Sequence, residues 1–177
     1  TRMILTSAGS LSGGATGSIH APGMVLQVVH AIDSTKLRTA ATTYTATGLS
    51  GTITPSSTSS KILIHMNAYI STDNATPGNG STVKLKLKRG TTDLTEPTVM
   101  YSLDQSQSGG NARKSTTVSH IFLDEPASTD SLTYNYDMKA DSGANYTAWL
   151  HDTWGGTPDQ STLPPMSATI LLQEIAG

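Results

Sequence analysis

The sequence predicts an all-β protein, a two-sheet antiparallel β-sandwich of jelly-roll type with an extended N-terminal arm. Three observations lead to this prediction. Short segments of alternating apolar and polar residues recur along the chain, and clusters of Gly, Asn, Asp, Ser and Pro separate them. Charged residues make up only 14% and aromatic residues 5% of the chain, which is typical of strand-and-turn proteins rich in Ser, Thr and Gly. No segment combines a helical apolar period with capping residues.

The alternation indicates where the strands lie. In residues 83–88 three apolar residues alternate with three lysines, and residues 132–139 alternate in the same way, as half-exposed antiparallel strands do. The predicted strands are Val25–Ile32, Thr42–Leu49, Lys61–Ser71, Thr82–Lys88, Thr98–Leu103, Ser115–Asp124, Ser131–Ala140, Tyr146–Leu150 and Ser167–Ile175. About eight main strands with connections of uneven length favour a jelly roll. An immunoglobulin-like sandwich is the alternative, although its Cys and buried-Trp markers are missing.

The stretch from Gly48 to Ala68 organises this prediction. A semi-alternating run ends at Pro55, which cannot donate to a sheet ladder. The small polar residues 56–60 then form a connection whose hydroxyls can satisfy the backbone in turns. A strongly apolar strand begins at Lys61. Strand, connection and buried strand together form a sandwich building block, and no catalytic or ligand-binding chemistry is visible in it.

Residues 1–22 differ from the rest of the chain. They are rich in Gly and Ser and carry one short apolar patch, Met3-Ile4-Leu5. Such a segment buries too little apolar surface to order itself, so it is interpreted as an assembly arm or shaft end that orders against another chain. A flexible linker is the alternative. The predicted organisation is therefore an arm, residues 1–22, and a knob domain, residues 23–177. Because the chain begins at Thr1, either an initiator Met was removed or a longer polypeptide precedes it.

Composition excludes several classes of function. The net charge of −2 with 11 Lys and Arg provides no basic field for nucleic acid or anionic lipid. There are no cysteines, so disulfides and thiolate metal sites are ruled out. No apolar run approaches 18 residues, so membrane insertion is not expected, and the N-terminus lacks the pattern of a secretion signal.

No catalytic site, metal site or cofactor is predicted, and the chain is not expected to be an enzyme. His30 with Asp33 and His151 with Asp152 form pairs without a third partner at a metal-ligand spacing. His65 is interpreted as a polar-face or interface residue. Calcium at the turns Asp73-Asn74 or 141–143 is a weaker alternative to ordinary Asx-turns. The basic row at residues 84–89 is interpreted as the solvated face of an edge strand, with anion binding as the alternative.

The loop after Trp149 is the main candidate for ligand contact. It carries a second tryptophan, Trp154, in a chain with few aromatic residues. Aromatic platforms beside polar groups hold sugars, and Trp is enriched in interface hot spots. Trp149 is predicted to be a core residue. For Trp154 a packed position and an exposed position are equally compatible with the sequence. The receptor-contact candidates are Trp154 with its hydrogen-bonding neighbours Asp152, Thr153 and Asp159. The candidate contact loops are Asp73–Ser81, Asp104–Lys114, Asp141–Asn145 and Asp152–Pro165.

Four segments of the sequence resemble a domain found at the ends of bacteriophage tail fibres and in related virion-surface proteins. In that family a G-x-V-L-Q-V-V strand, here residues 23–29, leads to G-L-S-x-x-I-T-P-S-S-x-S-S-K-I-L-I, here residues 48–64. An L-D-x-P turn follows, here residues 123–126, and an A-T-I-x-L-x-E-I strand closes the domain, here residues 168–175. The segments occur in the same order, and the match spans residue 23 to the C-terminus.

The resemblance implies a non-enzymatic virion structural protein on the surface of an extracellular particle that is assembled in the bacterial cytoplasm. It also implies a homotrimer. The strand faces offer more apolar surface than one sandwich core uses, which suits association between copies. Two functions stay open. The chain is either a trimeric tail-fibre knob that contacts the host surface, with a bacterial saccharide as a candidate ligand, or a trimeric capsid decoration protein that stabilises the shell through its arm. Its virion partner is accordingly the fibre shaft or the major capsid protein.

Overall fold

A computed structural model describes residues 4–5, 11–12, 21–74, 81–95, 99–103, 112–140, 146–150 and 166–177. Its regular elements over these residues are all β-strands. In chain order they are β1 (Ile4–Leu5), β2 (Leu11–Ser12), β3 (Val25–Asp33), β4 (Leu37–Thr39), β5 (Thr45–Ile53), β6 (Lys61–Asn74), β7 (Ser81–Arg89), β8 (Thr92–Asp93), β9 (Val99–Leu103), β10 (Ala112–Asp124), β11 (Leu132–Ala140), β12 (Tyr146–Leu150) and β13 (Ala168–Ile175). Among these residues no helix is long and apolar enough to cross a membrane.

The strands form two antiparallel sheets that pack face to face, which confirms the predicted all-β sandwich. The larger sheet has the order β3-β13-β6-β12-β4, and β10 pairs with the other edge of β6. The smaller sheet has the order β5-β11-β7-β8, and β9 also pairs with β7. The short strands β1 and β2 pair only with each other among the described residues. The jelly-roll connectivity stays a prediction, and the order β3-β13-β6-β10 opposite β5-β11-β7-β9 is the feature that favours it.

The core lies between the two sheets and follows from the two-residue period of the strands. On β13 every second side chain is buried, and β5 alternates in the same way from Thr47 onwards. The largest side chains that are fully buried are Tyr134, Tyr136, Leu49, Ile53, Ile62, Ile64, Met66, Ile70, Leu85, Leu87, Met138 and Leu150. Gly51 permits a close approach of β5 to β13, because a Cβ there would lie 3.1 Å from Leu172 Cδ1. Both predicted alternating segments, on β7 and β11, supply core residues.

Each of the nine predicted strands is present, with ends that differ by up to four residues. The largest difference is at β5, which continues through Gly51 to Ile53 because it pairs with β11 over its whole length. The sequence analysis missed β1, β2, β4 and β8. Strand β4 has three residues and the other three have two each, which is too short to show a period.

The prediction that the basic row lies on an edge strand is wrong. Strand β7 lies inside the smaller sheet, with β11 on one side and β8 and β9 on the other. Lys86 is buried, and its Nζ lies 2.7 Å from Asp93 Oδ2 and 4.2 Å from the centre of the Tyr44 ring. Lys88 Nζ lies 3.2 Å from Asp137 Oδ2. Neighbouring strands thus supply carboxylates that compensate these lysines, so the row is not an uncompensated anion-binding stripe.

Candidate interaction surfaces

The strand register gives the sandwich two distinct ends. At one end Gly23 N donates to Ala176 O, and Val25 lies opposite Ile175, so residues 1–22 join the domain there. The connections 54–60 and 125–131 lie at the same end, because Lys61 pairs with Ile175 and Asp124 pairs with Ile62. This end is called the arm end. Whatever precedes residue 23 therefore attaches beside the C-terminal strand.

Three of the four candidate contact loops leave from the opposite end, called the loop end. Asn74, where β6 ends, lies opposite both Ala112 and Tyr146, where β10 and β12 begin. On the smaller sheet Ser81 lies opposite Leu103, and Ala140 opposite Val83. The strand ends that flank residues 75–80, 104–111 and 141–145 are thus adjacent. This juxtaposition depends on long-range register and is invisible in the sequence.

The fourth candidate loop leaves from a different place. Strand β12 ends at Leu150 opposite Ile70, and β13 pairs with the same edge of β6 from Thr169 opposite Asn67. The chain between them therefore leaves and rejoins the larger sheet part-way along β6. The candidates Trp154, Asp152, Thr153 and Asp159 all lie in this segment, outside the described residues. Their assignment as receptor contacts stays a prediction.

Of the predicted assembly-arm residues, Ile4 and Leu5 form β1, in which Ile4 lies opposite Ser12 and Leu5 opposite Leu11. Met3 lies outside the described residues, and the boundary between residues 22 and 23 stays a prediction. Trp149 belongs to β12, between Arg38 and Ser71 in the register.

Three of the four segments that carry the family resemblance meet at one buried carboxylate at the arm end. Glu174 on β13 is 1% exposed. Its Oε1 accepts hydrogen bonds from Ser56 N at 2.7 Å, Ser56 Oγ at 2.7 Å and Ser60 Oγ at 2.6 Å. Its Oε2 accepts one from Gln27 Nε2 at 2.7 Å, and that nitrogen also lies 2.6 Å from Thr54 O. The carboxylate therefore ties the connection between β5 and β6 to the first and last strands of the domain.

The charged form of Glu174 is strongly favoured in this setting. Burial by itself would raise its pKa, but the hydrogen bonds from Ser60, Ser56 and Gln27 outweigh burial and lower the pKa to about 2. Donors that are fixed by a short turn and by two paired strands stabilise the anion without reorganising. The carboxylate is buried, whereas Gln27 is half-buried and Ser56 is exposed. The network is a structural clamp between β3, β13 and the connection from β5 to β6.

A second buried network joins the two sheets at the same end. Asp124 Oδ2 accepts hydrogen bonds from Tyr134 Oη at 2.7 Å and from Arg89 Nη1 at 2.6 Å. Burial and the neighbouring carboxylate raise the pKa of the Tyr134 hydroxyl, so it stays a donor. Asp124 belongs to the L-D-x-P turn of the resemblance. All four resembling segments thus contribute to the structure of the arm end.

Further from this end, His120 faces the core rather than the surface. Its Nδ1 lies 2.8 Å from Tyr136 Oη, and burial lowers the pKa of the imidazole. Among the described residues this half-buried histidine contacts the Tyr136 hydroxyl and stacks on the Phe122 ring. No group of three or more His, Cys, Asp or Glu side chains that could hold a metal ion occurs in the described part of the chain.

The outer face of the larger sheet exposes apolar residues. Val28 and Ile32 on β3 are 54% and 62% exposed, and Ile121 and Leu123 on β10 are 63% and 48% exposed. Between them lies an open hollow of about 460 Å³, lined by His30, His65, Asn67, Thr169 and Leu171. His65 Nε2 lies 3.0 Å from Ser119 Oγ, which agrees with its interpretation as a polar-face histidine. The sequence analysis did not bring His30 and His65 together, because they lie on strands separated by β13.

The described residues thus define an all-β two-sheet sandwich with a clamped arm end, a loop end and one apolar outer face. No model of a protein family matches this chain, and no curated protein matches it. A solved structure to which it is similar is that of the Gt strain of infectious bursal disease virus, with a TM-score of 0.32 and 10% sequence identity. The likeness covers 93% of this chain and 40% of that chain, so this chain spans two fifths of the other's length. A likeness of this size identifies neither a family nor a function.

Proposed function

We propose that the chain is a non-enzymatic virion structural protein, the trimeric surface knob of a bacteriophage tail fibre that contacts the host-cell surface. The observation that carries the proposal is the separation of the two ends. Residues 1–22 join the sandwich beside Ile175 and Ala176, whereas three loops leave from the opposite end. A receptor-binding knob needs this polarity, because its attachment and its contact loops must lie on opposite sides.

The construction of the arm end supports this proposal. Glu174 and Asp124 fix the strands next to the attachment point through short hydrogen bonds. A rigid scaffold lets exposed loops vary in sequence without loss of their position, which is how binding sites are carried on many sandwiches. The family resemblance supplies the virion context, and the candidate ligand is a hydroxyl-rich bacterial saccharide.

A capsid decoration protein is the second candidate. It is favoured by the apolar pair Ile4–Leu5, which lies in a paired strand segment within the arm. An arm of this kind suits a contact laid across neighbouring shell subunits. A decoration protein needs no receptor, so host adsorption distinguishes the two functions.

Replacing Trp154 by alanine is expected to weaken binding to host cells by on the order of 1–3 kcal/mol, because a stacking anchor is lost. The oligomer should stay intact. Adsorption of particles that carry the variant is the measurement, and Trp154→Phe, which keeps an aromatic face, is the matched control. Unchanged adsorption together with a lower melting temperature would make Trp154 a packing residue and would favour decoration.

A further inference from the structure

The outer face of the larger sheet consists of aligned rows that run across four strands. In the order β3, β13, β6, β10, one row is Val28, Gln173, Leu63 and Leu123. The next row is His30, Leu171, His65 and Ile121. The third row is Ile32, Thr169, Asn67 and Ser119. These three rows contain no carboxylate, lysine or arginine.

Charged residues lie on this face only at its two ends: Lys61 and Glu125 towards the arm end, and Arg38, Asp73 and Arg113 on the register rows towards the loop end. Lys61 Nζ lies 2.6 Å from Glu125 Oε1, and both side chains are exposed. A face with an uncharged centre and a charged rim has the composition of a protein–protein contact. It also creates no like-charge repulsion when one copy of the face meets another.

The dimensions of the face suit association between copies. Four strands spaced by about 4.8 Å and the eight steps of about 3.4 Å from Lys61 to Tyr69 give an area of roughly 500 Å². Three copies that turn this face towards a common threefold axis would bury about 1,500 Å² in all, the amount that a specific interface of standard size buries. The face has both a depression and raised side chains, because the exposed Ile32 and Ile121 lie on strands at either side of the 460 Å³ hollow. Such a surface can accept a side chain from another copy while it inserts its own.

We propose that copies of this chain associate through the outer face of the larger sheet, with the hollow between His30 and His65 inside the contact. The location of the contact rests on the structure, and a stoichiometry of three rests on the proposed function. In this arrangement the arm ends of the copies point the same way. The loop ends then remain free to meet a ligand.

The test is the mass of the isolated full chain in light scattering, with wild type compared with Ile121→Lys and Ile121→Thr. Wild type is expected at three times the chain mass of 18.5 kDa. A lysine inside the contact should weaken association about 100-fold, since like charges would be desolvated together, and Ile121→Thr should weaken it less. Ser50→Lys is the matched control, because Ser50 is exposed on the smaller sheet and the charge change is the same.

Each result has a defined meaning. A wild-type monomer, or an oligomer insensitive to Ile121→Lys, overturns the proposal. An unchanged oligomer with a lower melting temperature overturns it as well, since the face would then be covered by the same chain. A species of twice 18.5 kDa that Ile121→Lys dissociates supports the face and contradicts the trimer of the proposed function. Circular dichroism with Ile121→Thr verifies that loss of association is not loss of fold.

Discussion

Replacing Glu174 by alanine is expected to lower the free energy of unfolding by about 3–4 kcal/mol, because removal of one member of a buried charged network leaves its partners unsatisfied. Three donor groups on Ser56 and Ser60 and one on Gln27 would lose their acceptor, and the Ser60 hydroxyl would lose it in a buried position. Chemical denaturation at pH 7 measures the loss. The variant should also expose the connection between β5 and β6 to proteolysis.

The matched control is Glu125→Ala. Glu125 lies at the same end of the sandwich and pairs with Lys61, but its side chain is 67% exposed. Exposed ion pairs contribute less than about 1 kcal/mol, so this variant should be nearly neutral. Equal effects of the two substitutions would contradict the assignment of Glu174 as the clamp.

The same carboxylate predicts sensitivity to acid. The pKa of Glu174 is about 2 in the folded chain against 4.5 for the ordinary group, so the unfolded chain binds the proton more readily. Its contribution, on the order of 3 kcal/mol, is complete above pH 4.5 and is lost as the pH falls towards 2. His120 acts in a higher window, because its lowered pKa makes stability fall once the pH drops below 6.5. In Glu174→Ala the lower window should disappear and the higher one remain.

Asp124→Ala is expected to cost about 2–4 kcal/mol, since it leaves the Tyr134 hydroxyl and the Arg89 guanidinium without their shared acceptor. Tyr134 is fully buried between the sheets, so water cannot replace the carboxylate there. Thermal unfolding is the measurement. Asp130→Ala is the control, because Asp130 is exposed in the following connection and should change stability by less than about 0.5 kcal/mol. A comparable loss in both variants would show that Asp124 has no special role.

The two-residue period predicted the strands well because burial of one strand face is a local property of the sequence. It also contained a signal for the clamp that the sequence analysis did not use. Glu174 falls on the same strand face as Ile170 and Leu172, which identifies a buried carboxylate. Its donors could not be predicted, since Gln27 lies 147 residues away in the chain. The clustering of three contact loops at one end depends on the same long-range register.

The place of a strand within its sheet was less predictable. The lysines of β7 suggested an edge, but their long side chains reach carboxylates on neighbouring strands, which makes an interior position tolerable. The reverse holds for β10. Its exposed Ile121 and Leu123 would be assigned to the core from composition alone, yet they lie on the outer face. When a strand has apolar residues on both faces, the sequence does not show which face packs in the core. The other face can be identified as exposed only after the packing of the core is known.

Deletion of residues 1–22 tests the central proposal, attachment through the arm end, most directly. The described sandwich has its first ladder pair at Val25 with Ile175, so the truncated chain should show the same cooperative thermal unfolding as the full chain. Particles that are assembled when only the truncated chain is supplied should not contain it. Incorporation of the folded truncated chain at the level of the full chain would contradict attachment through the arm, and failure of the truncated chain to fold would contradict the domain boundary.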